Sequence, residues 1–187
     1  MTLRNCLIAL ALLLTPALAF AHPGHSESGL LAGLSHPAGG LDHLLAMLAV
    51  GLWAAQQSGK ARWALPLTFM ASMLLGGLLG FAGIELPFTE TGIAASVLAF
   101  SLLVVVAARL PLLLAAGMTA LFALSHGVAH GLELPALSNA WSYACGFLLA
   151  TGCLHAVGYG LIRYLPHTAV RLGAAGSAGA GVWLLVS

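Results

Sequence analysis

Two short stretches of this chain concentrate side chains that bind metal ions. The first is His36-Pro37-Ala38-Gly39-Gly40-Leu41-Asp42-His43, two imidazoles with a carboxylate; the second is Ser125-His126-Gly127-Val128-Ala129-His130-Gly131-Leu132-Glu133, two more imidazoles with another carboxylate. In the second stretch His126 and His130 are four apart and Glu133 is three further on, so on a helix all three project from one face within about two turns. That spacing resembles the paired histidines of helical zinc sites. The plainer alternative, a buried histidine bonded to a neighbouring carbonyl, leaves three polar groups in the interior without a shared partner, which is costly. In the first stretch Pro37 biases His36 away from helical geometry, and Gly39-Gly40 permits a sharp bend. His36 is therefore expected to fold back toward Asp42 and His43, whereas a continuous helix would hold the two histidines about 10 Å apart along its axis. The plainer alternative there makes Asp42 a helix N-cap and the histidines interfacial groups in contact with water.

Imidazole with carboxylate suits nickel, cobalt, zinc or iron, and the lack of a thiolate pair argues against copper(I) or an iron-sulfur cluster. The residue types alone do not choose among the divalent ions. The elements that must hold these groups are set by composition. Of 187 residues, 60% are apolar and 6% charged, with six Lys/Arg, five Asp/Glu and eight His. An ordinary globular domain carries roughly a quarter charged residues, so this chain is expected to live in lipid, consistent with its mean hydropathy of +1.02. A net charge of +1 provides no basic field for a polyanion, which excludes nucleic acid as the partner. In such a chain ionisable residues are functional candidates by default.

The expected fold class is all-α: a polytopic membrane protein with a cleavable signal peptide followed by six transmembrane helices. Residues 1–21 read as the signal, with Arg4 at its start, Leu7 to Leu14 as the apolar stretch and Ala19-Phe20-Ala21 as the cleavage site. Residues 22–187 form one six-helix domain, because ~20 residues cross a bilayer core and apolar stretches run approximately over 38–56, 63–84, 91–108, 111–132, 139–163 and 168–187. The connections leave no room for a separate nucleotide-binding module, and no GxxxxGK[ST] motif occurs. Lys60, Arg62, Arg109, Arg163 and Arg171 fall at one set of span ends, and Glu27, Glu85, Glu90 and Glu133 at the other. By the positive-inside rule the cations are cytoplasmic and both mature termini lie outside, an N-terminal placement that signal cleavage also demands. Both histidine clusters then fall on the outward side and converge on one site.

Secondary candidates surround it. Cleavage after Ala21 exposes His22, whose amine and imidazole can chelate together, and His25 adds to this capture element; Glu90 is an electrostatic lure or an interfacial cap. His155 lies deeper, toward the cytoplasmic half, lining an exit path or bonding across helices. Met47, one turn after His43, and the other methionines are expected to pack rather than ligate. Cys145 and Cys153 are eight apart, roughly 12 Å of helical rise, too far to bridge. Ser72, Gly76 and Gly80, and likewise Gly173, Ser177 and Gly181, repeat small residues every four positions and read as helix-packing seams.

The run His36-Pro-x-Gly-Gly-x-Asp42-His43, continued by Leu45-Ala46-Met47 and Val50-Gly51-x-Trp53-Ala54, resembles the signature of the HupE/UreJ family of hydrogenase and urease accessory membrane proteins. The stretch His126-Gly-x-Ala-His130-Gly-x-Glu133 and the signal-plus-six-spans layout are similar to that family as well. The resemblance implies a bacterial inner-membrane permease, not an enzyme, that takes up nickel, or cobalt in some members, for metalloenzyme maturation. It singles out His36, Asp42, His43, His130 and Glu133 as transport residues. In that reading His36, Asp42 and His43 capture and desolvate the ion, and His126, His130 and Glu133 coordinate it. No prosthetic group is expected, since Ni(2+) is the transported substrate, and the partners are that ion, the lipid bilayer and, as an open option, a second copy of the chain in a homo-oligomer. The rival is an intramembrane zinc-dependent hydrolase using three histidines, Asp42 and Ser125 around zinc and an activated water. A haem protein with paired histidines is a third reading, separable by its absorption spectrum.

Overall fold

The computed structural model describes residues 29–133 and 139–187. The expected signal over residues 1–21, and with it His22 and His25, lies outside the described residues. Among these the chain is all-helical: α1 (Gly29–Gly39), α2 (Leu41–Gln56), α3 (Ala61–Phe81), α4 (Thr89–Val105), α5 (Leu112–Leu132), α6 (Ala140–Tyr164) and α7 (His167–Val186). Four of these, α3, α5, α6 and α7, are long and apolar enough to cross a membrane, and α1 with α2 make a fifth if the bent pair counts as one broken span. The 17 residues of α4 rise only about 26 Å, short of the roughly 30 Å hydrocarbon thickness.

The first cluster departs from its expected local geometry. His36 and Pro37 are helical, inside α1, while the sharp bend expected of the double glycine is present at Gly40, whose extended backbone (φ −112°, ψ 121°) turns α2 by 85° from α1. The preference of a pre-proline residue for extended backbone is overridden by tertiary packing. Gly33 of α1 lies against the backbone of Tyr143, and Gly146 of α6 against that of Leu30, so the two helices touch main chain to main chain. Nor is Asp42 the N-cap: Gly40 holds that position and Asp42 is the second residue of α2.

Close helix contact is the general device, and the glycines beside the histidines supply it. Gly76 and Gly80 of α3 abut backbone atoms of Leu124 and Val128, while Gly127 and Gly131 of α5 abut those of Met73 and Gly77. Small residues let membrane helices approach where lipid offers no hydrophobic drive. The seam expected on α7 is narrower than the sequence spacing suggested. Gly181 meets Leu98 of α4, and Ser101 donates to Ser177 (2.8 Å), but among the described residues nothing lies within 4 Å of a Cβ at Gly173. Eight residues of helix drift about 80° from a strict four-residue stripe, which turns Gly173 outward.

One end of the bundle is tied by backbone carbonyls. Trp53 Nε1 and Gln57 Nε2 both donate to the Ala108 carbonyl at 2.9 Å, Arg62 Nε donates to Gln57 O at 2.9 Å, and Arg171 Nε to Val105 O at 2.7 Å. These cations therefore share the end formed by the C-termini of α2 and α4. The histidine clusters occupy the opposite end, at the N-terminus of α2 and the C-terminus of α5. Cys145 and Cys153 are free and exposed.

Candidate metal centre

Four imidazoles from three helices meet at that end. His130 is central: its ring lies 4.6 Å from that of His36, 4.3 Å from His43 and 4.0 Å from Phe147, centroid to centroid. The Gly40 bend is what brings α1 and α2 to the same partner, so His36 and His43 converge through His130. His126 sits one turn deeper on α5, 4.7 Å from the His43 ring and fully buried.

Glu133, the C-cap residue of α5, reaches over this cluster. Its Oε2 is 3.1 Å from His36 Nε2 and 4.0 Å from His130 Nδ1. One ligating atom from each of His36, His130 and Glu133 can be chosen so that all lie within 4.8 Å of one another, the only such trio of His, Cys, Asp or Glu among the described residues. The spacing on α5 grouped His126 with His130 and Glu133; folding instead joins His130 and Glu133 to His36 across 97 residues of sequence and leaves His126 below.

Hydrogen bonds set which imidazole nitrogen carries a lone pair. Asp42 Oδ1 is 2.7 Å from His43 Nδ1, and a carboxylate only accepts, so Nδ1–H donates, and in the neutral imidazole the lone pair is on Nε2. Nε2 of His43 is buried without a hydrogen-bond partner among the described residues. At His126, the Ser96 hydroxyl donates to the Ile93 carbonyl (2.7 Å) and lies 2.8 Å from Nε2. With its single proton committed, Ser96 Oγ accepts from Nε2–H, and His126 Nδ1 holds the lone pair, again unpartnered among the described residues. Neither nitrogen of His130 has a hydrogen-bond partner among the described residues. Buried polar atoms are normally satisfied, so the unpartnered nitrogens of His43, His126 and His130 stand out as spare ligand capacity, although of the three only His130 belongs to the compact trio. Orientation of a ligating histidine by a carboxylate or hydroxyl through its other nitrogen is the usual arrangement at metal sites.

Asp42 thus faces His43 rather than the trio. Glu90 is exposed in the first turn of α4 and outside the trio. His155 is buried on α6 with its ring 5.2 Å from Phe69. Sequence reasoning missed Ser96, Phe147 and Tyr143. Tyr143 stacks parallel to Phe147 and lies 5.7 Å from the His36 ring. An apolar cavity of about 210 Å³ between α3, α5 and α6 reaches this wall, with His130, Phe147 and Met73 in its lining.

The fold and site define a class: an all-helical bundle of membrane-type helices carrying an imidazole-carboxylate cluster at one end. A family model described as HupE / UreJ protein matches residues 10–184, and the chain belongs to that family. It is 48% identical, over 167 residues, to Protein HupE of Rhizobium leguminosarum bv. viciae, an alignment covering 89% of this chain and 84% of that protein. No solved structure matches it.

Proposed function

We propose that this chain is a permease of the bacterial inner membrane that carries divalent nickel, or cobalt, inward by facilitated diffusion and so supplies hydrogenase or urease maturation. The observation that carries the reading is the trio His36, His130 and Glu133, with ligating atoms within 4.8 Å of one another, at the end of the bundle opposite Arg62 and Arg171. The cation-bearing end faces the cytoplasm by the positive-inside rule, which leaves the trio outside, where the ion arrives. The broken pair α1 and α2 is the first of six spans, with its break at the outer mouth, where Gly39 and Leu41 are exposed and water can satisfy the irregular backbone. The short α4 completes the count, enclosed by α2, α5 and α7, and both mature termini are periplasmic once residues 1–21 are removed.

A carboxylate and several imidazoles replace water around the ion, and a partly exposed Glu133 lets it leave again; conduction needs both. A divalent cation moving inward gains about 4.6 kcal/mol per 100 mV, twice the unit-charge value, so no nucleotide-driven partner is required. In the zinc hydrolase alternative Ser125 would stand beside the activated water, but its side chain lies against Gly92 of α4. The test is nickel accumulation in cells lacking other nickel uptake. The chain restores accumulation and the His130→Ala, Glu133→Ala double variant, present in the membrane at equal amount, does not; normal uptake by that variant refutes the site.

A further inference from the structure

Three helices run in register inward from the histidine cluster. Steps of four residues lead from His43 to Met47 to Gly51 on α2, from Gly77 to Met73 to Phe69 on α3, and from Phe147 to Thr151 to His155 on α6, each step about 6 Å of rise. In the layer below the cluster, Thr151 Oγ lies 3.5 Å from Met47 Sδ and 3.9 Å from Met73 Sδ, all three fully or almost fully buried. In the next layer His155 is only 3% exposed, and neither of its ring nitrogens has a hydrogen-bond partner among the described residues. Phe69 touches the histidines of both levels, 5.5 Å from the His126 ring and 5.2 Å from that of His155. Met73 and His130 line the same cavity, so the two levels are joined by space as well as by contact.

We propose that Met47, Met73, Thr151 and His155 form a second cation station, inward of the histidine-carboxylate cluster and without a carboxylate of its own. Two thioethers, a hydroxyl and an imidazole are all neutral ligands. An ion is held there less tightly than beside Glu133, and the fall in ligand charge favours onward release. Thioether sulfur also prefers late first-row ions to magnesium, calcium or manganese, so the station screens what the oxygen-bearing outer site admits. Flexible methionine side chains can close around the ion and reopen, and this gives buried methionines a role beyond packing. His155, with both nitrogens free, takes the ion from the sulfur layer.

The inference rests on the permease reading for its direction of travel, but ligation itself is measured separately. Purified protein in nanodiscs is loaded with nickel chloride and examined by nickel X-ray absorption, and nickel flux is measured in proteoliposomes. Sulfur scattering is expected in the native protein and in Glu133→Gln, and is expected to vanish in Met47→Leu, Met73→Leu, a volume-conserving pair that cores tolerate. That pair and His155→Leu should each lower flux by about tenfold or more with nickel affinity at the outer cluster unchanged. If His155→Leu does not fold, the methionine pair decides alone. Nickel bound through nitrogen and oxygen only, or native flux in the methionine pair, overturns the station. If the native protein gives no nickel flux in proteoliposomes yet shows the sulfur signal when loaded, the permease reading fails and the station stands as a binding site.

Discussion

Asp42 Oδ1 lies 2.7 Å from both the backbone nitrogen and the Nδ1 of His43. One carboxylate oxygen thereby holds the first turn of α2 and fixes the tautomer of the histidine that follows it. On the permease reading, a residue picked out as a ligand would then act through its neighbour. Asp42→Asn can present an amide N–H to Nδ1, which moves the imidazole proton to Nε2 and blocks the lone pair aimed into the cluster. Loss of such an orienting carboxylate typically lowers metal affinity ~10–100-fold. Nickel titration of purified Asp42→Asn is expected to show that drop with the helical circular dichroism unaltered; native affinity would remove Asp42 from the site.

Glu133 bridges two imidazoles, His36 at 3.1 Å and His130 at 4.0 Å, so its contribution cannot be separated from theirs. His36→Ala and Glu133→Gln should each remove most of the outer-site affinity, and the double variant should lose little more than either alone. Groups sharing partners show coupling energies of about 0.5–3 kcal/mol in such cycles. Additive losses, read by isothermal titration with nickel, would mean that the two groups serve different ions.

Much of this centre was legible in the chain. The pairs His36 with His43 and His126 with His130 announce ligand chemistry by residue type, and the double glycine announces the bend. Pro37 misleads because its effect is local, whereas α1 is held helical by main-chain contact of Gly33 and Gly146 across to α6 and back. The grouping of His36 with Glu133, 97 residues apart, depends on how α1 and α5 dock, and no periodicity within one helix carries that information. Ser96 stayed hidden for a related reason. A lone serine in an apolar span bonds equally well to its own helix, as it does to Ile93, and only the neighbouring α5 turns its lone pair toward His126.

The glycines beside the histidines position the ligands without touching an ion. A Cβ at Gly127 runs into the Met73 carbonyl, while nothing lies within 4 Å of one at Gly117 on the same helix. Overpacking of this kind costs about 1–3 kcal/mol. Gly127→Ala should therefore lower the thermal midpoint in detergent and weaken nickel binding by displacing His126 and His130 from α3. Gly117→Ala should be neutral or stabilising by up to ~1 kcal/mol, the helix propensity difference. Equal midpoints for the two variants would show that the α3 to α5 seam has slack.

The proposed six-span arrangement makes a prediction for three of its connections. Replacing Cys145 and Cys153, both exposed, by serine gives a background in which single cysteines report sidedness to a membrane-impermeant maleimide in intact spheroplasts. Lys60 and Glu85 are exposed and sit in the connections before α3 and after it. Lys60→Cys should label only after the membrane is opened, and Glu85→Cys should label at once, because α3 crosses between them. The connection after α4 is the sharper case, since that helix has only 17 residues. If α4 spans, Arg109→Cys is shielded like Lys60→Cys. If α4 instead dips into the membrane and returns, Arg109→Cys labels from outside, α5 runs in the opposite sense, and Glu133 is carried to the cytoplasmic face. The end of the bundle tied by Arg62 and Arg171 would then be split between two compartments, contrary to its shared carbonyl contacts at Ala108 and Val105. Shielding of Arg109→Cys is the expected result.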